Sequence, residues 1–119
     1  MKRLLVLTAT LGLVACGGSS TSTGPQQTPA LAADVAATPA LAFTPGTVTV
    51  AQGGTVTFKF GSVAHNVYFD NASGAPANIT GQNANVNKSV TFTTTGTYEY
   101  DCHIHPGMSG TVIVVAPTQ

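Results

Sequence analysis

The chain has 119 residues, of which 7% are charged and 43% hydrophobic, with a formal net charge of zero, no Trp and two Cys. That length accommodates one domain, and the absence of any basic surplus argues against nucleic-acid binding by phosphate neutralisation. Two Cys allow one disulfide at most, so their surroundings decide whether they pair.

Met1-Lys2-Arg3 forms a positive opening, and residues 4–14 form an apolar run too short to cross a bilayer as a mature helix. Leu13-Val14-Ala15-Cys16 then supplies a small-residue cleavage site. The Leu-x-Ala-Cys ending resembles the lipobox of bacterial lipoproteins. That resemblance implies a signal peptide over residues 1–15 and Cys16 as the lipid-modified first residue of the mature chain. The protein would then be exported and lipid-anchored at the bacterial cell envelope, with its domain in the periplasm or at the cell surface. A lipidated Cys16 has no thiol to offer Cys102, which is left for other chemistry. Gly17, rather than Asp, after the lipidated Cys is compatible with outer-membrane sorting in a Gram-negative cell.

Residues 16–38 are mostly Gly, Ser, Thr, Pro, Gln and Ala without periodicity, the composition of a tether that is flexible at its Gly/Ser end and stiffer around Pro25 and Pro29. Residues 31–37 could form a turn or two of helix, marginal at that length. The rest, residues 39–119, reads as the domain. Its side chains carry Lys59 and Lys88 against Asp34 in the tether and Asp70, Glu99 and Asp101, so solubility comes from Thr, Asn, Ser and Gly rather than from charge.

Short β-rich runs punctuated by Gly, Pro and Asn fill the domain. A short strand is predicted at 40–43. Residues 47–50 and 55–60 read as two strands joined by a Gly-containing turn, with Val48, Val50, Val56, Phe58 and Phe60 on their apolar faces. Further strands are predicted at 65–70, 88–94, 97–102 and 111–115, with residues 71–87 as a long polar connection. No stretch has helical periodicity over a useful length. Six or seven short strands in about 80 residues point to an all-β two-sheet sandwich or small barrel. A core of that size is marginal alone, which makes a stabilising metal worth seeking.

The C-terminal segment runs Tyr98-Glu99-Tyr100-Asp101-Cys102-His103-Ile104-His105-Pro106-Gly107-Met108. A period of two puts Tyr98, Tyr100 and Cys102 on one face and Glu99 and Asp101 on the other. The charged face belongs to solvent, so the Cys102 sulfur points inward. The Pro-Gly turn that follows can fold His105 and Met108 back around it. Thiolate, imidazole and thioether form a soft set suited to copper, and a trigonal His, His, Cys arrangement with a long axial Met is the blue-copper site. It needs a second imidazole from elsewhere, and apart from His103 the chain offers only His65.

This pattern resembles the cupredoxins: His65-Asn66-Val67 early, a Tyr-x-Cys-x-x-His-x-x-Met loop late, and Gly110-Thr111-Val112-Ile113-Val114-Val115 as closing strand. The loop spacing, with Pro106 directly after His105, is most similar to amicyanin-type loops; plastocyanins have a longer one. The similarity runs over residues 39–116 and includes Phe43-Thr44-Pro45 and a hairpin at 53–58. It implies a Greek-key β-sandwich or barrel, one type 1 copper per chain, and His65, Cys102, His105 and, axially, Met108 as its ligands. It also implies that Asn66 ties the two ligand loops together, and that His105 lies near the surface under an apolar patch of Ala64, Pro106 and Gly107 as the electron port. Pro106 has no N–H to donate toward the thiolate, which should shift the reduction potential. Tyr68 and Tyr100 read as rim or core aromatics.

The implied activity is that of a monomeric electron carrier, not an enzyme, cycling Cu(II)/Cu(I) between redox proteins, bound to the membrane through its lipid and to no nucleic acid. Its low charge predicts docking that depends little on salt. Two alternatives are an envelope copper-binding or delivery protein, whose usual Met-rich or His-rich clusters the mature chain lacks, and a metal-free binding module. His103 departs from the simple pattern. A His directly after the copper Cys also occurs in multicopper oxidases and copper nitrite reductases, but three His in the chain are too few for a further copper cluster. Strand alternation sends His103 outward, as a solvated surface residue. Three Asn-x-Ser/Thr sequons, at Asn71, Asn78 and Asn87, carry no expectation of glycosylation in a bacterial lipoprotein.

Overall fold

The computed structural model describes residues 28–117; the segment with the cleavage site and Cys16 lies outside them. Among the described residues nine strands and no helix occur: β1 (Ala32–Ala37), β2 (Phe43–Thr44), β3 (Thr47–Ala51), β4 (Thr55–Phe60), β5 (His65–Phe69), β6 (Ile79–Asn83), β7 (Val86–Thr91), β8 (Gly96–Asp101) and β9 (Ser109–Val115). They form two sheets, ordered β2-β1-β4-β7 and β3-β9-β8-β5-β6. This is the predicted all-β sandwich.

Four local expectations need correction. The tether ends earlier than residue 38, because β1 lies parallel to β4 from Ala32↔Thr55 to Ala37↔Phe60, with Val35 and Ala37 buried. Its Ala-rich sequence has weak strand propensity and no clear alternation. What makes it a strand is the unpaired edge of β4, a tertiary effect that local reading does not see.

Strands β3 and β4 are consecutive and joined by a tight turn, yet they are not a hairpin. β3 pairs in parallel with β9 in one sheet, and β4 sits between β1 and β7 in the other. The turn carries the chain across the sandwich. Gln52 N donates to Val115 O and Gly53 N to Phe92 O, while Gly53 takes φ of 84°. At Gly54 an added Cβ would stand 2.7 Å from Ala51 O. Alternation specifies which face of each strand is apolar; it does not distinguish neighbours along a sheet from neighbours across a core.

The long connection at 71–87 contains β6, an edge strand that buries Ile79 against the core. Asn78 Oδ1 accepts the Phe69 N–H at 2.9 Å just before it. The strand predicted at 40–43 is reduced to β2, preceded by a tight turn in which Leu41 N donates to Thr38 O.

The core between the sheets is aromatic. Tyr100 meets Phe43, Phe58 and Phe69 edge to face, with ring centroids 4.9, 5.2 and 5.8 Å away. Tyr98 and Phe92 extend the cluster toward the end of the sandwich that carries the β3–β4 turn. The Tyr98 hydroxyl donates to Thr94 O at 2.6 Å, whereas the Tyr100 hydroxyl is buried with no hydrogen-bond partner among the described residues. Burial pushes the Tyr100 ionisation far up, so the phenol stays neutral. A buried, unpartnered hydroxyl costs stability, and Tyr100→Phe is expected to raise the unfolding free energy by about 1 kcal/mol in urea titration.

Candidate metal centre

The strand directions bring four connections to one end of the sandwich. β1 and β4 run toward that end and β7 away from it, while β8 delivers the chain to it and β5 and β9 leave it. His65 opens β5 with the same inward parity as Val67 and Phe69, and Cys102 follows β8 with the inward parity of Tyr98 and Tyr100. The sequence alternation therefore places both groups under the same end loops.

The loop after Cys102 is closed by its own backbone. Cys102 N donates to Met108 O at 2.9 Å, and Met108 N donates back to His105 O at 3.2 Å. The latter closes a four-residue turn with Pro106 second and Gly107 third, Gly107 taking φ of 90°, which is the type II pattern. This turn folds His105 and Met108 back over the thiol, as the Pro-Gly pair predicts.

His65, Cys102 and His105 converge. The two Nδ1 atoms lie 3.1 Å apart, and each is 3.9 Å from the Cys102 sulfur. A point in the plane of these three atoms, about 2.0 Å from each nitrogen, falls about 2.3 Å from the sulfur, the bond lengths that a transition-metal ion makes to imidazole and thiolate. The triangle is thus sized for a trigonal N₂S centre. Met108 is buried at the same loop, 3% exposed, where its thioether would be available as a further ligand.

The imidazoles are prepared for a cation. His65 Nε2 lies 2.9 Å from Thr38 O; a carbonyl only accepts, so the proton is on Nε2 and the Nδ1 lone pair faces the centre. The facing Nδ1 of His105 can share a proton with it in the metal-free molecule, and a metal ion takes that proton's place. His65 is fully buried and His105 half-buried, so only His105 reaches toward solvent. Asn66 Oδ1 accepts the His103 N–H at 2.7 Å, joining the two ligand segments as expected.

Burial pushes His65 below the usual imidazole value; the hydrogen bond to Thr38 works against this, and the neighbouring His105 adds to the depression. The unfolded chain titrates near 6.5 and the folded one lower. The unfolded state therefore binds more protons in that interval. For the metal-free protein, the His65 contribution is expected to be complete above pH 6.5 and to be lost as pH falls through the folded value. Urea midpoints of the metal-free protein at pH 7.5, 6 and 5 check this, with His65→Gln flattening the slope.

His103 is outside the centre, as strand alternation predicts. Its ring stacks on Tyr68 at 3.9 Å and 9°, with Nε2 3.4 Å from Asp101 Oδ1. Tyr68 is a rim residue and Tyr100 a core one. The Thr38 carbonyl escaped the sequence reading, since a backbone acceptor has no residue signature and this one lies in the segment assigned to the tether.

A pocket of two imidazoles and a buried thiol, closed by one short loop at the end of a β-sandwich, is the centre of a cupredoxin. The chain belongs to the plastocyanin/azurin family of copper-binding proteins, whose model matches residues 30–115. Copper is accordingly its cofactor, one type 1 ion per chain. The matched region begins at the residue before Leu31, in agreement with β1 being part of the domain. A reduced Cu(I) amicyanin variant is similar at 30% identity and TM-score 0.61, over 76% of this chain and 95% of that one. The oxidised plastocyanin of Dryopteris crassirhizoma is similar at 26% identity and TM-score 0.59, over 69% and 99%. A copper-containing nitrite reductase from Thermus scotoductus SA-01 is similar at 26% identity and TM-score 0.60, over 72% of this chain but only 23% of that enzyme. No curated protein matches the chain.

Proposed function

We propose that the protein is an exported, membrane-tethered electron carrier that uses a single type 1 copper held by His65, Cys102, His105 and an axial Met108. The observation that carries this reading is the planar triangle of two Nδ1 atoms and Sγ. Bound copper supplies a one-electron Cu(II)/Cu(I) couple. The chain's own residues do the rest. Thr38 O, the Asn66 side chain and the closed 102–108 loop hold the donors in place, so that the ligand set is the same before and after electron transfer. The aromatic core beneath excludes water from the thiolate. Half-buried His105 is the port through which electrons enter and leave.

The end loops support docking through that port. Residues 38–42, 61–64, 84–85 and 102–108 contain no Asp, Glu, Lys or Arg. Contact there would lack formal carboxylate, ammonium and guanidinium charges, and its rate should depend little on ionic strength. We read the protein as a carrier rather than an enzyme because His65, Cys102, His105 and Met108 together would fill the copper's ligand positions and leave none open to a substrate. His103 is also turned onto Tyr68 rather than toward a further site. Tethering through lipidated Cys16 and a segment ending near residue 30 leaves the domain free to meet donor and acceptor proteins in the envelope.

The test is the visible spectrum of the protein loaded with Cu(II), with Cys102→Ser as control. An intense thiolate-to-copper band that bleaches on reduction and is missing in the control is the expected result. Tight Cu(I) binding without such a band would replace the carrier by a copper-delivery protein. Labelling with radioactive palmitate in a bacterial host, lost in Cys16→Ala, tests the tether.

A further inference from the structure

Strand β6 is irregular where it passes His65. Its register with β5 pairs His65 with Asn83 and Val67 with Ile79, so β5 advances two residues while β6 advances four. The surplus is taken up at Thr80-Gly81-Gln82, with Gly81 at φ of 82°. Beyond its two chain neighbours, nothing lies within 4 Å of where a Gly81 Cβ would be, so glycine is needed there for backbone conformation and not for space. Bulges of this kind bend a strand and re-aim neighbouring side chains.

The Asn83 side chain ties the bulge to the ligand. Asn83 Nδ2 lies 3.1 Å from the His65 carbonyl and 3.1 Å from the Thr80 carbonyl. Both partners only accept, so the amide orientation is fixed: its two N–H groups are the donors. One hydrogen bond closes the bulge on itself, and the other grips the backbone of the fully buried imidazole ligand.

His65 is thus held from three sides. The connection between β1 and β2 holds its ring through Thr38 O, and the Cys102 loop holds its neighbour Asn66. β6 holds its backbone through Asn83. The first two anchors act on the ring and on the adjacent residue, and β5 pairs directly with β8 only at Tyr68↔Asp101 and Phe69↔Tyr100, three residues and more past His65, so the His65 backbone itself is gripped from β6. We propose that the β6 bulge and Asn83 form a positioning device that sets the depth of His65 and so tunes the copper centre. Asn83 is a positioning residue acting through His65, and the inference rests on the copper site described above.

Asn83→Asp tests it, because the carboxylate keeps the shape and loses both donors; Asn83→Ala is the second variant. Ile79→Val is the control. It trims a buried residue of the same strand, paired with Val67, without touching the His65 anchor. The variants are made in the full chain. Without metal, the His65 ring resonances are followed by NMR; with Cu(II), the ratio of the visible bands, the reduction potential and the rate of copper release to a chelator are measured.

Both Asn83 variants are expected to shift the His65 ring resonances, change the band ratio and potential, and release copper about tenfold faster or more. Ile79→Val should lose comparable stability with none of these changes. If the Asn83 variants match Ile79→Val in every readout, Asn83 is structural only and the proposal is overturned. A wild-type protein that shows no thiolate-to-copper band would instead refute the copper-carrier reading. In that case the metal-free NMR comparison still decides whether Asn83 positions His65.

Discussion

Gly110→Ala is expected to destabilise the domain by about 2 to 3 kcal/mol, the upper part of the range for overpacking a filled core. Gly110 faces Tyr100 across the β8–β9 ladder, on the inward side. A Cβ there would stand 2.9 Å from Tyr100 Cε2 and closer still to Cζ and the hydroxyl. The ring cannot step aside, because Phe43, Phe58 and Phe69 already pack against it. Gly110 is two residues past Met108, and Tyr100 two before Cys102, so the strain falls on the two strands that carry the ligand loop. Urea unfolding gives the magnitude. In a Tyr100→Leu background, itself destabilised by loss of the ring, the same Gly110→Ala change should cost less than half as much, a coupling that independent sites would not show.

This pair illustrates what was and was not legible in the sequence. The inward parity of Tyr98, Tyr100 and Cys102 followed from one charged face, because Glu99 and Asp101 have to meet water. The same rule sent His103 outward, and the Pro106-Gly107 pair predicted the turn that brings His105 back. The proposed ligands Cys102, His105 and Met108 were readable because soft donors at fixed short intervals in one loop have few other uses, and His65 because apart from His103 the chain has no other imidazole. The partners of β3, β4 and β1 were not readable. A strand with one apolar face fits equally well beside its neighbour or across the core from it, and an Ala-rich segment becomes a strand only because β4 has an open edge. The supporting atoms around His65 escaped for a related reason. Thr38 acts through a carbonyl that every residue has, and Asn83 lies in a polar, Gly-rich stretch whose register slip is visible only once β5 and β6 are paired.

The two imidazoles proposed as ligands differ in exposure, and that difference predicts unlike responses to the same deletion. His65 is fully buried, between Thr38 O, Asn66 and the Cys102 loop, whereas His105 is half-buried in a turn at the surface. Replacing either by Ala removes one corner of the N₂S triangle and should abolish the thiolate-to-copper band. The cavity left by His105→Ala opens to solvent, so a free imidazole can enter it and offer a nitrogen at the vacated corner. Millimolar imidazole is therefore expected to restore the band in His105→Ala. In His65→Ala the missing ring leaves a buried hole covered by the β1–β2 connection at Thr38 and by the 102–108 loop, with no opening to solvent of its own. The same titration should leave that variant colourless. Recovery in both variants would mean that the His65 side is as open as the His105 side, contrary to the burial described. Recovery in neither would mean that the 102–108 loop collapses once its imidazole is gone, so that His105 is needed to hold the loop as well as to bind.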